Sequence, residues 1–192
     1  MRLNVLLILL CFGQFALGQT KNEKEERIKL SEFPLAAQKI VETLPKNCKR
    51  VNFYKETDGQ KQSFEAKFKH KGKRYSLEFS KEGIVEDLEV LTKFKAVKTN
   101  VKTEITDYFK STYSKHKVIK VQKQYVYNSN IEASQFIANV LSQNSGIAPN
   151  FEIIAEVKVE KQRVLREFEF DDKGTFISFR TINSTSYEHV LY

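Results

Sequence analysis

SFEAKFKHKGKRYSLEFSKEG (residues 63–83) decides the fold. Phe64, Ala66 and Phe68 alternate with Glu65, Lys67 and Lys69, and Tyr75, Leu77 and Phe79 alternate with Ser76 and Glu78. A period of two with one apolar face predicts strands of an antiparallel sheet packed on one side only. Turn chemistry separates the strands at Asp58-Gly59, Lys71-Gly72 and Glu82-Gly83. Upstream, Ala37, Ile40, Val41 and Leu44 share one face of a helix, with Pro34 at its entry and Pro45 at its exit. One such helix can cover the apolar face of the sheet.

The rest of the chain reads as a second copy with an insertion. A helix over roughly residues 100–113 places Val101, Ile105, Tyr108 and Phe109 on one face, capped by Thr99 or Asn100. Strands are expected at His116–Tyr127, with Ile119, Val121, Tyr125 and Tyr127 on one side, and at Phe151–Val159. A final strand pair, Val164–Phe170 and Thr175–Ile182, is joined by Asp171-Asp172-Lys173-Gly174. The extra segment lies at about 128–150. There Ala133, Ile137, Val140 and Leu141 fit an amphipathic helix.

The expected fold is therefore α+β: two tandem units, each a helix packed on a four-stranded antiparallel sheet, with a helical insertion in the second. The units would span 31–92 and 99–182, with a linker near Thr92–Lys98. Residues 1–18 read as a secretory signal peptide: Arg2 precedes the apolar run Val5–Cys11, and Ala16-Leu17-Gly18 offers a small-residue cleavage site. The run is too short to span a bilayer comfortably. Polar residues 19–30 read as a flexible lead, and 183–192 as a tail that docks on its own domain through Tyr187, Val190, Leu191 and Tyr192. These features predict a secreted or periplasmic protein.

The helix and strand pattern ending in Tyr75-Ser-Leu-Glu-Phe79-Ser-Lys-Glu-Gly83, and again in Arg166-Glu-Phe-Glu-Phe170-Asp-Asp-Lys-Gly174, resembles the PepSY-like, beta-lactamase-inhibitor-protein-like secreted proteins of Bacteroidetes-type bacteria. The resemblance covers about residues 30–182. It implies tandem helix-on-sheet units, export, and no known catalysis. The matched positions are core and turn positions, so no functional residue is carried over.

Little in the chain signals catalysis. His70, His116 and His189 lack metal-ligand spacing, and no HExxH, GxSxG, GxGxxG or P-loop is present. Cys48, the lone cysteine after residue 18, reads as a small packed residue at a strand start rather than a nucleophile. Asp171 and Asp172 read as turn residues rather than calcium ligands. Glu167 and Glu169 read as solvated carboxylates on an exposed sheet face. No catalytic, cofactor-binding or metal-binding residue is assigned. Asn183-Ser184-Thr185 matches a glycosylation acceptor, which matters only in a eukaryotic source.

The chain carries 32 Lys and Arg against 24 Asp and Glu, a net charge of +8. Export argues against nucleic acid and leaves a protein, a peptide or an anionic envelope component as partner. Ile154 and Leu165 should point away from the helices, where apolar residues need cover. Either the insertion helix packs near them, or they join Tyr54, Lys67 and Lys69 in a contact patch. The expected function is non-catalytic binding across open sheet faces, possible inhibition included. The alternatives are an envelope hydrolase with an unrecognised carboxylate and histidine site, or a purely structural surface component.

Overall fold

The computed structural model describes residues 19–143 and 146–183. The expected signal peptide, His189, and the tail from Ser184 onward, with most of the Asn183 acceptor pattern, lie outside the described residues. In chain order the elements are β1 (Gln19–Lys21), β2 (Glu23–Ile28), α1 (Leu35–Glu42), β3 (Lys49–Asp58), β4 (Lys61–His70), β5 (Lys73–Ser80) and β6 (Val85–Thr92). They continue with α2 (Thr99–Thr112), β7 (His116–Val126), α3 (Ala133–Ser142), β8 (Asn150–Val159), β9 (Gln162–Phe170) and β10 (Phe176–Ile182).

The two-unit expectation is overturned. All ten strands form one mixed sheet in the order β1-β10-β9-β8-β7-β6-β5-β4-β3-β2. The expected boundary between units is an ordinary antiparallel seam, with Asp87 opposite Val126 and Thr92 opposite Val121 along β6 and β7. The segment expected as a flexible lead supplies both ends of the sheet. β1 runs parallel to β10, and β2 runs antiparallel to β3 from Glu23 opposite Asp58 to Ile28 opposite Phe53. Only Asn22 separates β1 from β2. One N-terminal segment therefore binds both edges, and the sheet curls until its ends meet. Its charged residues were read as a sign of disorder, but unpaired edges on β3 and β10 provide backbone partners that override that composition.

Among the described residues, α1, α2 and α3 lie on the outer face. Ala37 and Val41 of α1 pack on Phe64, Leu77, Phe79 and Leu88. Val101, Ile105 and Phe109 of α2 pack on Ile153, Phe168 and Phe170. Burial of each phenylalanine contributes roughly 2–3 kcal/mol. The insertion forms α3, as its periodicity predicts, but Phe136, Ile137, Val140 and Leu141 join the α1 cluster. The insertion thus completes the opposite half of the molecule from its place in the sequence.

Smaller corrections follow from local geometry. α2 begins at Thr99 after Lys98, and neither expected residue caps it through its side chain. A register shift between Val118 and Lys120 turns Ile119 outward, 38% exposed, while Val121 stays buried. Asp171 serves its hairpin: Oδ1 accepts the backbone N–H groups of Lys173 and Thr175 at 2.9 and 2.7 Å.

Gly83 and Gly174 bear the same relation to their helices. A Cβ on Gly83 would sit 2.8 Å from Pro34 Cβ, and one on Gly174 would sit 2.6 Å from the Val101 carbonyl oxygen. Both have positive φ, +84° and +91°. Gly174→Ala is expected to cost about 2–4 kcal/mol, because strain and a backbone clash coincide. Gly59→Ala, at φ +62° with open space around it, should cost only about 1 kcal/mol. Denaturant unfolding of the two variants against the parent measures both.

Candidate functional site

The alternation that puts aromatic residues under the helices turns the intervening polar residues inward. Because the sheet curls, these residues line an enclosure rather than a face in bulk water. The resulting cavity is about 700 Å³ and is lined by twelve carboxylate and five cationic side chains. A chain of net charge +8 therefore has a strongly acidic interior.

Strand register arranges these groups in rows. Glu65, Glu78 and Asp87 stand directly opposite one another across β4, β5 and β6. A second row carries Lys67, Ser76, Glu89 and Gln124, and a third Gln122, Glu152, Glu169 and Ser178. A fourth places Lys120, Ile154, Glu167 and Arg180 side by side.

An ion-pair network holds the closing seam. Lys21 Nζ donates to Glu167 Oε2 at 2.6 Å and pairs with Glu23 at 2.8 Å. Arg180 Nη2 donates to Glu167 Oε1 at 2.6 Å, while Nη1 reaches Asp58 Oδ2 at 3.1 Å. Asp58 Oδ1 accepts the Asn22 backbone N–H at 2.9 Å. Asp58 therefore ties β3 to β10 and to the β1–β2 joint. The Glu167 side chain is 1% exposed. Burial alone would raise its pKa, but Lys21 and Arg180 override that and hold it at about 2. Sequence reasoning took Glu167 for a solvated carboxylate because its cation, Lys21, lies 146 positions away.

A second network sits on β2–β4. Lys67 bonds Glu25 and Glu65, and its ammonium lies 4.9 Å from the Tyr54 ring centroid. Burial opposes the charge on Lys67, but Glu65 and Glu25 raise its pKa overall. Burial likewise opposes ionisation of Glu65, and Lys67 lowers its pKa nonetheless. Glu56 is pushed up to about 10 by burial and by the Glu65 and Glu23 charges. Carboxylate oxygens of Glu25, Glu56 and Glu65 lie within 4.8 Å of one another, the spacing of a metal triad. Lys67 already bonds two of the three, so a metal would compete with a resident ammonium.

The expected contact residues separate. Tyr54, Lys67 and Lys69 line one recess of about 210 Å³ with Arg50 and Arg74. Arg50 and Arg74 crowd Lys69 and lower its pKa, with desolvation adding to the effect. Ile154 does point away from the helices, into the cavity. It is 1% exposed and clusters with Ile182, against which Leu165 also packs. Neither proposed role for this pair holds: α3 packs on the other face, and Ile154 offers no open surface.

The envelope-enzyme alternative has one geometric feature. Cys48 Sγ lies 3.7 Å from His70 Nδ1. Burial raises the thiol pKa and lowers that of His70. A nucleophilic pair needs the opposite shifts, a stabilised thiolate beside an imidazolium. His116 stacks on Phe109 at 5.1 Å between ring centroids.

No family model matches the chain, and no curated protein matches it. Solved structures share the fold. A DUF2874 family protein from Bacteroides ovatus aligns with a TM-score of 0.51 at 10% identity, covering 78% of this chain and 87% of its own. A protein called a putative periplasmic protein, from Bacteroides eggerthii, aligns with a TM-score of 0.51 at 11% identity, over 78% and 88%. A BLIP-like protein from Bacteroides fragilis gives 0.47 at 14% identity, over 78% and 86%. At such identities the likeness to the B. ovatus and B. eggerthii proteins establishes shared architecture. It agrees with the Bacteroides part of the expected resemblance, and no PepSY relationship is shown. Among the described residues no helix is long and apolar enough to cross a membrane.

Two predictions follow from the charges. Lys21→Met leaves Glu167 buried with Arg180 as its remaining cation, and should destabilise the fold by about 3 kcal/mol at neutral pH, read by denaturant unfolding. The second concerns pH. Burial and neighbouring charge push Asp87 up to about 7 and Glu152 up to about 8, with Glu56 at about 10. In the unfolded chain such groups titrate near about 4. Above that the folded protein holds protons the unfolded chain has lost, so stability falls as pH rises through about 7 to 8. Glu167 acts oppositely, losing its contribution as pH falls from about 4.5 towards 2. The melting temperature in dilute buffer should be roughly 5 °C or more higher at about pH 5 than at about pH 8.5.

Proposed function

We propose that this chain is an exported, periplasmic, non-catalytic binding protein whose ligand is a cation held inside the curled sheet. The observation that carries the reading is the mismatch between the net charge of +8 and an interior of twelve carboxylates and five cations. Buried like charges are unfavourable unless protons, internal cations or a ligand compensate them. The cavity volume lies in the range of small-ligand sites. Periplasmic location draws on the export signal read in residues 1–18 and on the B. eggerthii protein of the same fold. The proposed site differs from the contact patch expected from the sequence, because closure of the sheet encloses its inner face.

A second reading has its own observation. Arg50, Lys69 and Arg74 crowd one recess beside Tyr54. This basic mouth suits an anionic envelope component or an acidic protein segment, with electrostatics supplying capture.

The test is thermal unfolding of residues 19–192 at about pH 8.5 with divalent metal chlorides, organic polyamines, lysine-rich peptides and polyanions, each matched for ionic strength with NaCl. The cation-binding reading expects at least one cation to raise the melting temperature clearly beyond its NaCl control. Stabilisation by polyanions alone would transfer the function to the basic mouth. Turnover of a peptide or glycan panel, lost on Cys48→Ala or His70→Ala, would overturn the non-catalytic reading.

A further inference from the structure

The cavity wall formed by β4, β5 and β6 is less well neutralised than the rest. At the seam Glu167 has Lys21 and Arg180, and on β4 Glu65 has Lys67. Glu78 instead shares the single Ser76 hydroxyl, 3.0 Å away, with Glu65, and Asp87 Oδ2 accepts a hydrogen bond from Gln124 at 3.0 Å, both neutral groups. Glu89 is bonded by the Gln122 amide. Lys61, which pairs with Glu86 at 3.6 Å, acts on Asp87, and Lys120 acts on Glu89, yet burial still raises the proton affinity of both carboxyls, as it does that of Glu78. Asp87 Oδ1 is sealed from solvent and has no hydrogen-bond partner. Like charges directly opposite on adjacent strands repel, and a buried oxygen without a donor is costly. A ligand supplying positive charge and N–H donors would relieve both.

The arrangement discriminates between kinds of cation. A calcium ion needs several oxygens converging at about 2.3–2.6 Å, and magnesium needs them closer still. Among the described residues three carboxylates approach such convergence only at Glu25, Glu56 and Glu65, where Lys67 already sits. Glu78 and Asp87 are instead set out along neighbouring strands, which lie about 4.8 Å apart. Charges spaced like this match ammonium groups separated by short methylene chains. Ile154 adds apolar lining to the same cavity.

Building on the cation-binding reading, we infer that the cavity binds a linear aliphatic polyamine, with its ammonium groups bonded to Glu78, Asp87 and Glu89. The ligand's positive charges supplement Lys61 and Lys120, the cations that act on Asp87 and Glu89 of the β5–β6 wall.

The test is calorimetric titration of residues 19–192 with spermidine at about pH 8 and physiological salt, with calcium chloride and trilysine as parallel arms. One spermidine per chain is expected to bind saturably. A double variant, Glu78→Gln with Asp87→Asn, should weaken that binding tenfold or more. Its melting temperature without ligand should equal or exceed the parent's, which shows that the loss is not unfolding. If the variant fails to fold, competition decides: excess calcium must leave spermidine binding to the parent largely intact. No heat with spermidine, or binding unchanged in a folded double variant, overturns the inference. Saturable binding of calcium or trilysine in its place would overturn the polyamine inference and leave the cation-binding reading standing. Silence in all three arms would remove both.

Discussion

Closure of the sheet by the segment around Asn22 is the constraint on which the rest depends. β1 covers the Arg180–Ile182 end of β10 and β2 the Phe53–Asp58 part of β3, so the edges that meet at the seam are paired. The seam is secured by charge as well as by backbone pairing, since Lys21, Arg180, Glu167 and Asp58 link β1, β10, β9 and β3. Closing the sheet also changes what its inner side chains experience. Carboxylates that would be hydrated on an open sheet are confined in a space of about 700 Å³. Their proton affinities rise unless a cation stands beside them.

The molecule consequently has two cores of opposite character on the two sides of one sheet. Outside, aromatic and aliphatic residues pack beneath α1, α2 and α3 and supply the hydrophobic stabilisation. Inside, specific ion pairs and hydrogen bonds satisfy much of the charge and leave the β5–β6 wall in excess. An acidic interior costs stability, and the outer core must offset that cost. Such an arrangement is easier to explain as a binding site than as a device for folding, because an apolar interior of equal volume would stabilise the same sheet.

The five contact residues chosen from sequence show how closure redistributes roles. Lys67 became an internal counter-ion, Tyr54 the aromatic surface beside it, and Lys69 part of a basic mouth. Ile154 is covered by Ile182 of the last strand, against which Leu165 packs while staying partly exposed. Their orientation was legible, since strand alternation fixes the face. Their cover was not, since it comes from β10, which reaches them through β9.

Local pattern determined strands β4, β5 and β7 to β10, the helices α1 to α3, and the side of the sheet that most of their residues occupy. Phe64, Leu77 and Phe168 lie under helices, and Glu65, Glu78 and Glu167 lie opposite, because a period of two is a property of the extended backbone. The turns at Gly83 and Gly174 were legible, but their close approach to α1 and α2 was not. Tertiary structure alone decided that one continuous sheet replaces two units, that α3 belongs with α1, and that the inner face is enclosed. Those outcomes rest on pairings such as Lys21 with Ile182 and Asp87 with Val126, between segments far apart in the chain. No periodicity encodes such pairings, and the charged sequence of residues 19–28 argued against them. The candidate site was therefore present in the sequence residue by residue, while its enclosure, which gives those carboxylates their chemistry, arose only when the sheet closed.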